Sequence, residues 1–209
     1  KYIYGQFIEH LGRCIYGGLW VGEEAKIPHE RGIRRDTSQA LARLALPALR
    51  WPGGCFADNY HWRDGIGPRG ERPRRHNLWW NQPETNAFGT DEFLRLCAMI
   101  GTEPYICVNV GSGTVQEAAD WLEYCNGNQD TTLARLRAEN GHPEPYGVRY
   151  WGVGNENWGC GGRMRPEYYA DLYARFATYL HGRGGPEKLI ACGSNPGIPD
   201  WDERFLTAI

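Results

Sequence analysis

Hydrophobic positions along the chain switch between two periods. Short apolar, β-branched or aromatic runs at residues 3–10, 48–52, 104–110, 150–153 and 189–192 read as strands, and the stretches between them carry helical spacing. Thr90 is placed to cap a helix whose Phe93, Leu96, Cys97 and Ile100 share one face, with Gly101 as its stop. Thr114-Val115-Gln116-Glu117 reads as a capping box opening a helix with Val115, Ala118, Ala119 and Leu122 inward and an end near Gly127. Pro166 suits a first helical turn, and Tyr169, Leu172, Tyr173, Phe176 and Leu180 form one stripe up to Gly182. Further helices are expected at 37–46 and 201–209. No repeat, low-complexity tract or linker divides the chain, so residues 1–209 read as one domain.

Strand–helix alternation implies a parallel sheet covered by helices, either a doubly wound open sheet or an eight-fold barrel. No glycine fingerprint follows the first strand, which weakens the dinucleotide-binding version. Polar residues instead close successive strands: Glu9-His10, Asp58-Asn59, Asn109 and Asn155-Glu156. Functional groups at the C-terminal ends of strands are the mark of the barrel. The expected fold class is α/β, a (β/α)8 TIM barrel of which this chain supplies roughly the first five strand–helix units. The first residues already read as a strand, the last as an uncapped helix, and neither an initiator Met nor a signal peptide is present. The chain is therefore expected to be a piece of a longer protein.

Composition narrows the function. The 23 basic and 25 acidic residues leave a net charge of −2, which removes the electrostatic argument for a nucleic-acid or membrane-surface partner. No apolar run approaches the roughly 18 residues that a bilayer span requires. With 41% hydrophobic residues the chain is too apolar for disorder. Seven Cys occur without any C-x-x-C pair, and Cys97, Cys107, Cys125 and Cys192 fall on apolar faces. Neither a disulfide framework nor a metal site is expected on that pattern, and a reducing, cytoplasmic location is.

The sharpest segment is Tyr150-Trp151-Gly152-Val153-Gly154-Asn155-Glu156-Asn157-Trp158-Gly159, a buried strand opening into a glycine-flanked Asn-Glu beside indole rings. A carboxyl group poorly solvated against Trp has a raised pKa and can donate a proton, while the Asn155 amide suits a sugar hydroxyl. The bland alternative is equally open: Glu156 caps a loop or pairs with Arg163 or Arg165. Glu9-His10 reads either as a polar pair lining a cleft or as part of a structural ion pair with Arg13 or Arg50. Arg50-Trp51-Pro52-Gly53-Gly54-Cys55 ends a strand in a tight turn, which taken alone is slightly better read as a plain turn than as one whose glycines permit close approach of a ligand. No His–Cys constellation supports Cys55 as a nucleophile. The long loop 56–89 interleaves Tyr60, His61, Trp62, Trp79 and Trp80 with Arg63, Arg69, Arg72, Arg74 and Arg75. Its acids Asp58, Asp64, Glu71 and Glu84 dilute the charge, so rings stacking on sugar faces explain the Trp better than single-stranded nucleic acid does, with a plain surface loop as the remaining alternative.

Five segments, in order and spread over nearly the whole chain, resemble the retaining α-L-arabinofuranosidases of glycoside hydrolase family 51. They are Gly5-Gln6-Phe7-Ile8-Glu9-His10-Leu11-Gly12; Arg50-Trp51-Pro52-Gly53-Gly54-Cys55-Phe56 with Tyr60-His61-Trp62 and Asp64-Gly65-Ile66-Gly67-Pro68; Asn86-Ala87-Phe88-Gly89-Thr90-Asp91-Glu92-Phe93; Glu103-Pro104-Tyr105-Ile106-Cys107-Val108-Asn109; and Tyr150-Trp151-Gly152-Val153-Gly154-Asn155-Glu156. One Asn-Glu alone would be a weak signal; five ordered segments are a specific one.

The resemblance implies a barrel that releases terminal L-arabinofuranosyl groups from arabinan- or arabinoxylan-type chains, without metal or organic cofactor, in an intact protein that is a homo-oligomer. By position Glu156 looks like the general acid/base, Asn155 like the residue holding the hydroxyl next to the reacting carbon, and Glu9 like a hydroxyl ligand. Cys55 stands where the family often has Asn, and Trp158 with the following glycines shapes the leaving-group side. Retention also needs a carboxylate nucleophile about 5–5.5 Å from the acid/base. In the family it lies on a later strand, so residues 1–209 are expected to lack it. Two other readings stay open: a related barrel glycosidase such as a xylosidase or endoglucanase, and a non-catalytic carbohydrate-binding derivative.

Overall fold

The computed structural model describes residues 1–128, 130–180, 187–195 and 197–209. In chain order the elements are β1 (Gln6–Phe7), β2 (His29–Glu30), β3 (Ile33–Arg34), α1 (Arg35–Arg43), β4 (Ala48–Trp51), β5 (Arg75–Asn77), β6 (Gln82–Glu84), α2 (Thr90–Ile100), β7 (Glu103–Val108), α3 (Val115–Asn126), α4 (Thr132–Glu139), β8 (Tyr150–Val153), α5 (Pro166–Leu180), β9 (Lys188–Ala191) and α6 (Trp201–Ala208). Five strands form one parallel sheet in the order β1-β4-β7-β8-β9, the sequential order of a barrel wall rather than the split order of a doubly wound sheet. All five strands of the sheet were legible from periodicity, within a few residues.

Local chemistry sets the helix ends. Gly101 adopts φ +70 and stops α2 as expected. At its start the cap residue is Gly89, one place before Thr90, and its N–H donates to the Glu92 carboxylate at 2.8 Å. Thr114 caps α3 by accepting the Glu117 N–H, but the Glu117 side chain does not reach back; it holds His61 instead, so only half of the expected box forms. Helix α1 begins two residues before the expected start. Helix α4 escaped the periodicity reading, since its amphipathic pattern covers only two turns. The expected stop at Gly182 lies outside the described residues. The first expected strand is mostly irregular: Tyr2–Tyr4 form a 3-10 turn, and only Gln6 and Phe7 pair, with Leu49 and Arg50.

Alternation along the strands divides the sheet into two faces. Trp51, Ile106 and Trp151 are in register across β4, β7 and β8 and pack under the helices. Trp51 stacks on Phe93 at 5.2 Å, and Trp121 of α3 lies 6.1 Å from Trp62 and 6.2 Å from Trp151. The opposite row, Phe7-Arg50-Tyr105-Tyr150-Lys188, runs in register across all five strands and lines an open groove of about 540 Å³. That groove is the inner face of a barrel wall.

The long loop departs from its expected role. Tyr60 and Trp62 are core residues, 3% and 1% exposed, so they offer no sugar platform. Only Trp79 and Trp80 face solvent, at the tip of the antiparallel β5–β6 hairpin. Most of the arginines are paired: Arg63 with Asp120, Arg69 and Arg72 with Glu92, and Arg75 with Asp64. No helix among the described residues is long and apolar enough to cross a membrane.

Candidate active site

The parallel strands deliver their polar ends to one rim. After β1 comes Glu9, buried beneath the turn that follows β4 and accepting the Phe56 N–H at 3.2 Å. Gly53 makes this approach possible: its φ is +144, and a Cβ there would sit 2.3 Å from Glu9 Cγ. His10, next along, belongs to the scaffold. The Trp51 indole N–H donates to its Nε2 at 3.0 Å, which leaves the proton on Nδ1, donated to Glu84 at 2.8 Å. Burial pushes the Glu84 carboxyl up, yet the donors His10, Tyr16 and the Asn86 N–H outweigh it and hold it below its usual range. Neither Arg13 nor Arg50 pairs with Glu9-His10 among the described residues.

Asp58, in the 3-10 turn Cys55–Asn59, joins three strand ends. One carboxylate oxygen accepts the N–H groups of Val110 and Gly111 beyond β7 at 2.7 and 3.0 Å. The other accepts the Asn155 N–H at 2.7 Å and the Asn157 amide at 3.3 Å beyond β8. No salt bridge reaches it among the described residues. Burial pushes its pKa up to about 6, against the pull of these four donors.

This clamp grips the residues on both sides of Glu156, which takes the left-handed conformation (φ +45) between them. The Glu156 carbonyl accepts N–H groups from Gly159 and Gly161 at 2.7 and 3.0 Å, closing the turn. The Asn155 side-chain oxygen accepts from Arg50 at 2.9 Å, and Arg50 lies between the Phe7 and Tyr105 rings, 4.8 and 5.9 Å from their centres. Trp158 donates its indole N–H to the Gly193 carbonyl at 2.9 Å.

Two expectations need correction. Glu156 is exposed, not desolvated against indole, because Trp151 points under the helices and the Trp158 N–H is turned to Gly193. Among the described residues it also forms no ion pair, with Arg163, Arg165 or any other cation, so the ion-pair alternative falls too. Further, Cys55 is not a free side chain: it forms a disulfide with Cys160, 105 residues away, with 5.5 Å between Cα atoms. A pair so distant in sequence leaves no spacing signature, which is why counting cysteines missed it. Glu156 Oε2 touches both sulfurs, at 3.4 Å from Cys160 and 3.9 Å from Cys55. Neither sulfur carries a proton, so these are contacts rather than hydrogen bonds. Cys97, Cys107 and Cys125 are buried as expected, and Cys192 partly so.

Glu9, Cys55, Asn155, Glu156 and Trp158 thus all sit on the turns that follow β1, β4 and β8. Sequence reading underrated Arg50 and Asp58, whose partners lie about fifty to a hundred positions away. The carboxylate and amide side chains are thus carried on the turns beyond the C-terminal ends of a parallel sheet, the edge at which barrel enzymes hold their active sites. Residues 40–203 match the α-L-arabinofuranosidase 1 domain, and the chain belongs to the family 51 arabinofuranosidases that carry it. It is 55% identical over its full length to an intracellular exo-α-L-arabinofuranosidase of Bacteroides ovatus, and 48% identical over 98% of its length to a probable α-L-arabinofuranosidase C of Aspergillus fumigatus. The chain spans about 40% of each of these relatives. Among solved structures it resembles the family 51 arabinofuranosidase of Xanthomonas axonopodis pv. citri (TM-score 0.94, 45% identity) and the α-L-arabinofuranosidase of Thermotoga maritima in its arabinose complex (TM-score 0.92, 50% identity). The match covers 99% of this chain and 42% of each of theirs.

Proposed function

We propose that residues 1–209 supply the acid/base half of a retaining, exo-acting α-L-arabinofuranosidase. The observation that carries this reading is the Asp58 clamp, which presents Glu156 on a constrained turn at the strand-end rim with Asn155 beside it. In the reaction, protonated Glu156 gives its proton to the glycosidic oxygen as a carboxylate attacks the anomeric carbon. Ionised Glu156 then takes a proton from water, which releases arabinose with retained configuration. Asn155, oriented by Arg50, holds the hydroxyl next to the reacting carbon. Glu9 binds a second hydroxyl, the Cys55–Cys160 bridge forms one wall of the sugar site, and Trp158 borders the leaving group.

The attacking carboxylate comes from sequence other than residues 1–209. Among the described residues Glu9 is the other Glu just beyond the end of a strand of the parallel sheet, and its carboxylate is tied down to Phe56 N–H as a ligand would be. The substrates in this reading are terminal arabinofuranosyl groups on arabinan- or arabinoxylan-type chains. The test uses a panel of aryl glycosides with the whole protein and with residues 1–209 alone. Hydrolysis of the arabinofuranoside by the whole protein only is expected. Preference for a xyloside or glucoside, turnover of none, or full activity from residues 1–209 would each overturn a stated part.

A further inference from the structure

The rim holds a second chemistry, centred on the disulfide. Cys55 follows the Gly53-Gly54 turn and Cys160 lies in the glycine-rich turn after Glu156; both are partly open to solvent, and Glu156 is exposed beside them. Their sulfurs and a Glu156 carboxylate oxygen all lie within 4.8 Å of one another. The 5.5 Å Cα separation lets both sulfurs reach one ion through bonds of about 2.3 Å. The backbone holding these donors is fixed independently of the disulfide: Asp58 grips Asn155 and Asn157, and Gly159 and Gly161 donate to the Glu156 carbonyl.

We propose that the bridge is a thiol-gated metal site: once reduced, Cys55, Cys160 and Glu156 bind one thiophilic dication of the zinc class. Reduction by an external dithiol transfers two electrons; the reductant becomes a disulfide, and one proton ends on each protein sulfur. Cysteine ligates zinc as the thiolate, so the dication takes the place of both thiol protons, which pass to solvent. Two thiolates, one carboxylate and a water complete the tetrahedral shell that zinc favours. In the oxidised form neither sulfur can ionise and the site does not exist. The consequence for catalysis, a blocked acid/base, rests on the function proposed above; the binding itself does not.

The experiment titrates zinc into the whole protein, oxidised and after reduction by a phosphine, and repeats the titration with cadmium to observe the ultraviolet thiolate-to-metal band. Circular dichroism monitors the fold. One zinc per reduced chain is expected, at least about 100-fold tighter than in the reduced Cys55→Ser/Cys160→Ser variant, which corrects for Cys14 and Cys192. Glu156→Gln is expected to weaken binding about tenfold while keeping the cadmium band. Equal uptake by oxidised and reduced chains, uptake that survives loss of both cysteines, an affinity indifferent to Glu156→Gln, or unfolding on reduction would each overturn the site. Because no substrate is present, its failure leaves the glycosidase reading untouched.

Discussion

Replacing Asp58 by Asn tests the clamp and its energetics together. The buried carboxyl holds its proton up to about pH 6, whereas the unfolded side chain releases it near 3.8. Between those values the native state binds more protons than the unfolded chain, so stability falls as pH rises through the window. The full shift corresponds to about 3 kcal/mol, absent below pH 4 and fully developed near pH 7. In Asp58→Asn there is no charge to desolvate, but the new amide would face the Asn155 N–H where an acceptor stood, a pH-independent loss of about 1–3 kcal/mol. Urea unfolding at a series of pH values separates the two. The wild-type chain is expected to lose about 3 kcal/mol more than Asp58→Asn between pH 4 and 7. Parallel pH profiles for the two proteins would show that Asp58 does not ionise at a cost, and the argument from burial would fail.

Other outcomes follow from the same geometry. Gly53→Ala combines a strained φ of +144 with a Cβ 2.3 Å from Glu9 Cγ, and thermal unfolding is expected to register a loss of at least about 3 kcal/mol. Trp121→Ala empties the centre of the aromatic core and is expected to cost about 3–5 kcal/mol, while Trp80→Ala at the hairpin tip stays within about 0.5 kcal/mol. Similar losses for both would mean that the two rings are not, as described, core and surface. In the whole protein, Glu156→Ala is expected to slow substrates with poor leaving groups by about 100-fold or more and to spare activated aryl substrates. Equal losses across leaving groups would argue against proton donation.

What the sequence determined by itself was local. The periods of apolar residues, the Thr114 cap and the Gly101 stop placed α2, α3, α5 and all five strands of the parallel sheet, because each depends on neighbours within a few positions. The order of polar strand ends pointed to a barrel rim, and five ordered segments pointed to the family. Tertiary structure decided the rest. That Trp62 is core while Trp80 is surface depends on α3 folding over the loop, which no spacing within residues 56–89 encodes. The exposure of Glu156 follows from where β8 turns Trp151. Arg50 reaching Asn155, Asp58 reaching Asn157 and Cys55 bonded to Cys160 each join residues about a hundred positions apart. Such pairs meet because parallel strands stack their C-terminal ends on one edge, a proximity that exists only once the sheet has formed.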